Sequence, residues 1–306
     1  MKPEYDLLIV GAGPAGLTAA IYAARYNLDV LVLGAQQGGL ITDAHKVCNY
    51  PGFPEIDGSS LGEKIKDHAV EYGAEVKMEM VDGIEKSDGV FAVKTNFGEE
   101  YKAKTVVLAT GTERRKLGLE EEDEFLGSGV SYCATCDGRF FKDKVVGVVG
   151  GSDAAATAAL YLSDLGEKVY IIYRRDELRC VEAWKNQVAG TDNIEVIYEN
   201  EVASLRGGDN LEAVELTQSY KKSKELKVNG LFIEIGSVPN TDISENLELD
   251  VDKKGYIKVG DDQITSMDGV WAAGDITNNS NYFQQVITAN AEGAVAAESI
   301  YKYLKK

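Results

Sequence analysis

Apolar residues at the start of the chain form two short runs, separated by a glycine-rich turn and a longer segment with helical periodicity. Tyr5–Val10 and Val30–Leu33 are apolar runs of strand length, and the turn Gly11–Gly16 follows the first. After this turn, apolar residues recur every three or four positions to about Tyr26. Strands and helices differ in this period, so the pattern predicts a strand, a turn, a helix and a second strand.

The same order of elements recurs in the middle of the chain. Lys144–Val149 predicts a strand, Gly150–Ala155 a turn, the residues to Leu165 a helix, and Lys168–Tyr173 a second strand. A unit of this kind is the mononucleotide-binding half of a doubly wound fold. The chain is therefore predicted to contain two nucleotide-binding units.

The remaining apolar runs add strands to both units and a helix at the end. Alternation around Glu75–Met80 and Val90–Thr95 predicts a small antiparallel sheet that leads into the strand Thr105–Ala109. Further predicted elements are a strand at Leu231–Ile235, a strand at Gly269–Asp275 and a final helix over about Gln284–Leu304.

Together these elements predict an α/β fold with two Rossmann-like, three-layer domains. Residues 1–111 and 239–306 are expected to form one nucleotide-binding domain from both ends of the chain, and residues 112–238 a second domain inserted into it. A chain of 306 residues exceeds the size at which a single core stops growing, which agrees with two domains.

Composition and charge exclude several classes of partner. The chain has 50 acidic and 32 basic residues, and its formal net charge of -18 repels nucleic acid and anionic membranes. The acidic run Glu120–Glu124 is interpreted as a solvated loop or helix end. Leu7–Ala24 lacks charge, but its glycines and Pro14 argue against a signal peptide or a membrane span. A cytosolic protein is expected.

The two turns differ in how well they match a dinucleotide-binding fingerprint. Gly11, Gly13 and Gly16 fit G-x-G-x-x-G, in which the middle glycine lets a pyrophosphate approach the backbone at a helix N-terminus. In the second turn, Ser152 takes the place of the middle glycine, between Gly150 and Ala155. A side chain at this position is expected to crowd the phosphate.

Three arginines follow the second strand of the second unit. Arg174 and Arg175 come directly after Tyr173 and Arg179 follows a few positions later, at a strand end that lacks the acidic residue for a ribose 2'-hydroxyl. Guanidinium groups match phosphate oxygens in charge-assisted pairs, so these residues favour a 2'-phosphate. A basic, solvated helix start is the structural alternative.

Cys133 and Cys136 have the spacing of a redox-active dithiol. In a reducing compartment, such a pair indicates redox chemistry or metal binding. A zinc site would take further ligands from Cys48, Cys180, His45 and His68, which are isolated in the sequence. Asp137 follows the second cysteine and could exchange protons with a thiolate or cap a turn. Cys48 and Cys180 are themselves expected to be small buried hydrophobes.

Several segments, in this order, resemble the low-molecular-weight thioredoxin reductases over essentially the whole chain. The segment that carries most of the resemblance is Tyr132-Cys-Ala-Thr-Cys-Asp-Gly138, just before the second turn. The other matching segments are Gly11–Gly16, Asn49-Tyr-Pro-Gly52, Ala109-Thr-Gly111, Arg174-Arg-Asp176 with Arg179, and Ala272-Ala-Gly-Asp275.

This resemblance implies an FAD domain from both termini, an inserted NAD(P)H domain that carries the dithiol, and a homodimer. It implies that Asp275 bonds the ribityl chain, that Cys136 lies against the isoalloxazine ring, that Cys133 is the exposed attacking thiol, and that Asp137 is the acid and base. The implied FAD residues are Gly11, Gly13, Pro14, Ala15, Gly16, Gly38, Gly39, Asn49, Thr110, Gly111, Gly274, Asp275, Gln285, Val286 and Ala289. The implied NADPH residues are Gly151, Ser152, Asp153, Ala154, Arg174, Arg175 and Arg179.

The function expected from the resemblance is NADPH-dependent reduction of thioredoxin or a glutaredoxin-like protein through FAD and the Cys133–Cys136 disulfide. A second hypothesis keeps this site but takes electrons from NADH, a reduced deazaflavin or ferredoxin, or oxidises small dithiols. A third is a nucleotide-binding regulatory or scaffold protein with a structural flavin. No metal is expected.

Overall fold

The computed structural model describes residues 4–44 and 47–306, so His45 lies outside the described residues. The chain divides into two compact units. Unit 1 comprises the residues up to Glu113 together with Val238–Lys306, and unit 2 comprises Arg114–Ser237. Across the two described ranges, every helix is too short or too polar to span a lipid bilayer.

Both units contain strands and helices. The strands are β1 (Tyr5–Val10), β2 (Val30–Leu33), β3 (Glu75–Lys77), β4 (Val81–Ser87), β5 (Val90–Thr95), β6 (Glu100–Leu108), β7 (Thr112–Arg114), β8 (Val130–Ser131), β9 (Val145–Val149), β10 (Lys168–Ile172), β11 (Ile194–Ile197), β12 (Val202–Gly207), β13 (Leu211–Tyr220), β14 (Ser223–Lys227), β15 (Gly230–Ile233), β16 (Ser237–Pro239) and β17 (Val270–Ala272). The helices are α1 (Pro14–Arg25), α2 (Gly58–Glu71), α3 (Ala134–Asp137), α4 (Asp153–Ser163), α5 (Glu182–Ala189) and α6 (Val286–Leu304).

Unit 1 is built on a sheet in the order β3-β2-β1-β6-β5-β4, with β17 also paired to β6. β6 changes partner along its length: Ala103 pairs antiparallel with Phe91 of β5, and Val106 pairs parallel with Val270 of β17. Because β1, β6 and β17 are parallel, their carboxyl ends meet at one edge of the sheet. Ligands of open α/β sheets bind at such an edge.

Helices α1 and α6 pack closely in unit 1 because small residues face each other. A Cβ atom at Gly293 of α6 would overlap the carbonyl oxygen of Ala15 on α1. Fully buried Leu17 and Ile300 lie in the same apolar cluster as β1 and β2. The close packing holds the N-terminal end of α1 beside the carboxyl ends of the strands.

Unit 2 has three layers. A parallel sheet in the order β11-β10-β9-β15-β8 lies in the middle. Ala155, Ala159 and Leu162 of α4 are buried on one face of it. The antiparallel sheet β12-β13-β14 contributes buried Leu205 and Val214 to the cluster on the other face.

Most of the predicted elements are confirmed, and with them the predicted α/β class with parallel sheets. The prediction for Glu75–Met80 is wrong in its pairing: Glu75–Lys77 pairs parallel with β2 at the sheet edge. The antiparallel sheet instead consists of β4, β5 and β6. The period-2 pattern identified a strand, but the partner of a strand depends on contacts that are distant in sequence.

Two smaller expectations are also corrected. Glu122, inside the predicted solvated run, is only 2% exposed. It is buried because backbone N–H groups of Leu117 and Gly118 donate to its carboxylate at 2.9 and 2.7 Å. Cys180 is buried as expected, whereas Cys48 is exposed.

Candidate active site

The first dinucleotide turn joins β1 to α1 in unit 1. Gly11 has a φ of +116°, and a Cβ there would overlap the carbonyl oxygen of Ala109, directly after the neighbouring strand β6. A Cβ at Gly16 would overlap the carbonyl oxygen of Gly11. The protein's own packing therefore requires glycine at both outer positions of this turn.

The middle of the turn is open. The atom nearest to a Cβ at Gly13 would be the Cα atom of Gly39, 3.9 Å away. Gly13 is the N-cap of α1, and no side chain caps this helix, while Pro14 and Ala15 form its first turn. The first-turn N–H groups are thus available to pyrophosphate oxygens, which fits FAD.

Other predicted FAD residues surround this turn. The N–H of Gly38 donates to the carbonyl oxygen of Ala12 at 2.8 Å, which places Gly38 and Gly39 beside the turn. A Cβ at Gly274 would lie 2.7 Å from that of Ala15 and 3.7 Å from that of Ala289. The turn, the end of β17 and the start of α6 therefore come together in unit 1.

Asp275 follows β17 and lies close to the buried carboxylate of Glu292. Glu292 on α6 accepts hydrogen bonds from the Gly274 N–H at 2.8 Å, the Thr277 hydroxyl at 2.9 Å and the Ser280 hydroxyl at 2.5 Å. Burial and the charge of Glu292 raise the pKa of Asp275 from 3.8 to about 6. Sequence reasoning missed Glu292, whose only signal was an acidic residue on an alanine-rich helix.

The start of α6 is tied to the loop that carries Asn49. The Asn49 amide donates to Gln285 at 2.8 Å, and Gln285 is the N-cap of α6, directly before Val286. One turn on, Asn290 donates to the Tyr50 hydroxyl at 2.9 Å. These bonds fix the loop against the helix end predicted to line the flavin.

Thr110 and Gly111 follow β6 at the same edge of the sheet. The Thr110 hydroxyl donates to the carbonyl oxygen of Asn240 at 2.7 Å, and the N–H of Asn240 donates to the carbonyl oxygen of Gly111 at 3.0 Å. The structure thus brings the predicted FAD residues of unit 1 to one region. Their contacts with FAD remain a prediction.

The second turn, in unit 2, has the same design with different residues. A Cβ at Gly150 would overlap the carbonyl oxygen of Glu234 on β15's end. Ser152 is the N-cap of α4 and makes no capping bond with its side chain. Asp153 accepts a hydrogen bond from the N–H of Val181 at 2.8 Å and precedes Ala154. The first-turn N–H groups of α4 remain available to a pyridine nucleotide.

The three arginines lie beside this turn. Arg174, Arg175 and Arg179 are exposed. The Arg179 N–H donates to the carbonyl oxygen of Gly151 at 2.7 Å, and the Tyr173 ring fills the space next to Gly151. Within the described ranges, none of the three guanidinium groups has a carboxylate partner.

The two cysteines of the predicted dithiol are joined by a disulfide at the start of α3. Their Cα atoms lie 5.3 Å apart. In this form neither sulfur is a thiolate ligand for zinc, the alternative considered for the pair. In the disulfide form Cys136 is exposed and Cys133 half-buried, which does not test which sulfur attacks the partner. The roles of the two sulfurs therefore stay a prediction.

Two hydroxyl groups that sequence reasoning missed contact this redox turn. Ser131 is 3% exposed, and its hydroxyl donates to Asp137 at 2.7 Å and accepts from the Cys133 N–H at 3.0 Å. Thr135 Oγ1 lies 3.3 Å from Cys133 Sγ. Both residues are within or beside the matched segment, but spacing alone does not show which atoms meet.

The buried carboxylate of Glu122 contacts the same turn through Tyr132. The Tyr132 hydroxyl donates to its carboxylate, and burial together with Glu122 raises the pKa of Tyr132. Since Tyr132 directly precedes Cys133, the buried carboxylate helps to fix the position of the disulfide.

Comparisons with known proteins agree over the full length of the chain. The model of the pyridine nucleotide-disulphide oxidoreductase family matches residues 5–293. A thioredoxin reductase of Treponema pallidum (strain Nichols) is 42% identical over 308 residues, which cover 99% of this chain and 98% of that protein.

Solved structures give the same result. The crystal structure of Lactococcus lactis thioredoxin reductase in its FR conformation has a TM-score of 0.93 at 34% identity and covers 99% of each chain. That of T. acidophilum thioredoxin reductase has a TM-score of 0.92 at 37% identity, with the same coverage. The resemblance stated from the sequence is confirmed, and it implies FAD and a pyridine nucleotide as cofactors. The chain belongs to the pyridine nucleotide-disulphide oxidoreductase family and, within it, to the low-molecular-weight thioredoxin reductases.

Proposed function

We propose that the protein is an FAD-dependent thioredoxin-disulfide reductase that takes electrons from NADPH and delivers them to thioredoxin or a glutaredoxin-like protein. It acts in the cytoplasm as a homodimer. The observation that carries the proposal is the Cys133–Cys136 disulfide, held in a turn whose Asp137 is fixed by Ser131, in a chain with two dinucleotide turns. The names of its relatives support the same activity.

Unit 1, with residues 1–111 and 239–306 as the proposed domain, would hold FAD. The uncapped first turn of α1 would bind the pyrophosphate, and Asp275 would accept a hydrogen bond from the ribityl chain. Asn49, Gln285 and Ala289 would line the ring system. Bound FAD would supply two-electron chemistry between the pyridine nucleotide and the disulfide.

Unit 2, with residues 112–238 as the proposed domain, would hold NADPH. The turn Gly151–Ala154 would bind the pyrophosphate. Arg174, Arg175 and Arg179 are exposed and free of carboxylate partners in the part of the chain that the structure describes, so their charge is available to a 2'-phosphate. This charge favours NADPH over NADH.

The reduced dithiol would then reduce the protein partner by thiol exchange. Cys133 would attack the partner's disulfide, and Cys136 would resolve the mixed disulfide. Asp137, whose carboxylate accepts the Ser131 hydroxyl bond at 2.7 Å, would give a proton to the leaving sulfur and take one from the attacking thiol.

Anaerobic titration with NADPH tests the electron donor. NADPH should bleach the flavin absorbance rapidly, and NADH much more slowly. Bleaching only by a reduced deazaflavin, ferredoxin or a small dithiol would overturn the proposed donor and favour the second hypothesis.

Replacement of the attacking sulfur tests the reaction. Cys133→Ser should abolish turnover with thioredoxin, since no disulfide can form, while FAD stays bound because the flavin site lies in unit 1. Cys180→Ser, at a buried cysteine that lies outside the dithiol, is the matched control and should retain turnover. Unchanged turnover in Cys133→Ser would indicate a role outside dithiol chemistry.

A further inference from the structure

The sulfur of Cys133 has two polar neighbours within its own turn. The N–H of Cys136 donates to Cys133 Sγ at 3.1 Å. Thr135 Oγ1 lies 3.3 Å from the same sulfur. A disulfide sulfur carries no proton, so the Thr135 hydroxyl is the donor in this contact.

Cys136 has a different environment. Within residues 4–44 and 47–306, its sulfur has no hydrogen-bond donor, and its side chain is exposed. The two sulfurs of the disulfide are therefore unequal in this chain. A negative charge on Cys133 would receive two hydrogen bonds that a charge on Cys136 would not.

We propose that Thr135 is a catalytic residue whose hydroxyl stabilises the Cys133 thiolate and so makes Cys133 the attacking sulfur. The inference rests on the proposed function, because it concerns the dithiol formed when the disulfide is reduced. A thiolate is the nucleophile in exchange, and a hydrogen bond to a charged group is stronger than one to a neutral group.

The step is balanced with the two electrons that the proposed donor supplies. Reduction opens the Cys133–Cys136 bond to two thiols. The Cys133 thiolate forms a bond to one sulfur of the partner's disulfide, the partner's S–S bond breaks, and the leaving sulfur keeps the electron pair and takes a proton. The Cys136 thiolate then attacks Cys133 Sγ, which re-forms the disulfide and releases the partner's second sulfur as a thiol after protonation.

The ionisable groups of unit 2 around this turn would not be changed by a substitution at Thr135. Asp137 is bonded to Ser131, and Tyr132 to Glu122. Arg139 is exposed, and Tyr161 lies beside Gly138. An altered reactivity of Cys133 in a Thr135 variant therefore reports on the hydroxyl.

The test uses Cys136→Ser protein, in which Cys133 is the single cysteine of the tryptic peptide 117–139. Thr135→Val removes the hydroxyl at nearly constant shape, and Thr135→Ser keeps the hydroxyl and is the matched control. Alkylation of Cys133 by iodoacetamide is followed by mass spectrometry of this peptide, which separates it from exposed Cys48.

The expected result at neutral pH is alkylation of Cys133 about threefold slower in Thr135→Val than with threonine. Loss of the hydrogen bond lowers the thiolate fraction about tenfold. The remaining thiolate is more nucleophilic, which raises the alkylation rate again by about threefold. Thr135→Ser should react at nearly the same rate as threonine.

A second measurement at about pH 10, where free thiols are ionised, separates charge from access. At this pH, Cys133 in the Thr135→Val variant should be alkylated as fast as in the protein with Thr135, or faster. Equal rates at neutral pH, or an equal slowing at both pH values, would overturn the inference.

This experiment needs neither NADPH nor thioredoxin, so its outcome is independent of the donor titration. If the unsubstituted protein shows no turnover with NADPH, the proposed function is rejected. The ratio of the Cys133 alkylation rates with Thr135 and with Thr135→Val would be unaffected. A normal turnover with an unchanged alkylation ratio would reject only the role of Thr135.

Discussion

The two dinucleotide turns have the same backbone design but differ at the middle position of the turn. In both, a Cβ at the first glycine, Gly11 or Gly150, would overlap the carbonyl oxygen of the residue directly after the neighbouring strand. At the middle position, Gly13 has open space, and Ser152 makes no capping bond. The first position is therefore set by the packing of the protein, whereas we expect the ligand to set the middle position.

The third position shows how far packing tolerates change. In unit 1, a Cβ at Gly16 would overlap the carbonyl oxygen of Gly11, so glycine is required. In unit 2, Ala155 occupies this position and is fully buried against Gly150. Its methyl group is accommodated there, which shows that α4 and β9 leave slightly more room than α1 and β1.

The largest effect should come from an outer glycine. Gly11→Ala should lower the free energy of unfolding by more than about 3 kcal/mol, because the Cβ overlaps Ala109 and φ is +116°. Urea denaturation of the flavin-free protein measures this change.

Gly13→Ala is the matched control at the middle position. Its free energy of unfolding should fall by at most about 1 kcal/mol, the usual cost of alanine at an N-cap. FAD titration should nevertheless show affinity at least about tenfold lower, because the backbone can no longer approach the pyrophosphate. An equal loss of stability in both variants would contradict the division into packing and ligand positions.

A moderate effect should come from the carboxylates beside each turn. Asp275 has a pKa raised from 3.8 to about 6 by burial and by Glu292, whereas Glu234 in unit 2 is paired with Arg114 at 3.0 Å. Below pH 3.8 the protonated Asp275 contributes stability, which is lost as the pH rises through about 6. Above that pH, Asp275 is ionised in the folded protein, where burial and the charge of Glu292 disfavour its negative charge.

Asp275→Asn should therefore stabilise the flavin-free protein by about 1 kcal/mol more at pH 7 than at pH 5. Urea denaturation at the two pH values measures the difference. Glu234→Gln should instead lower the stability at both pH values, because the ion pair between Glu234 and Arg114 is lost. A gain for Asp275→Asn that does not depend on pH would exclude titration of Asp275 as the cause.

The smallest effect should come from Ser152→Gly, which gives the second turn the middle residue of the first. The affinity for NADPH should rise about threefold, since a side chain no longer crowds the pyrophosphate. The stability should change by only a few tenths of a kcal/mol, because Ser152 makes no capping bond. Isothermal titration measures the affinity, and a weaker binding would show that the serine hydroxyl contacts the nucleotide.

Local pattern was sufficient for much of the fold and for the reactive sulfurs. The strand at Val30–Leu33 has the predicted bounds. The last residues of α1 and α6 lie within two residues of the helix ends predicted from the sequence. Hydrophobic period and glycine placement are properties of neighbouring residues, which explains this accuracy. The Cys133–Cys136 pair was likewise recognised from spacing alone.

The groups that act on those sulfurs depend on contacts that only folding creates. The Ser131 bond to Asp137 and the Thr135 contact with Cys133 form because a short turn folds these side chains together. Glu122 is buried because backbone N–H groups converge on it, although its acidic neighbours predicted exposure.

The sequence by itself determined the two strand–turn–helix units, their glycines and the redox pair, because each is encoded within about twenty neighbouring residues. The tertiary structure alone decided that Glu75–Lys77 pairs parallel with β2, that Glu292 holds the Gly274 turn next to Asp275, and that Cys133 rather than Cys136 receives two hydrogen bonds. Strand partners, buried charges and hydrogen-bond geometry depend on residues that are distant in sequence or on exact side-chain positions, and neither is visible in a local pattern.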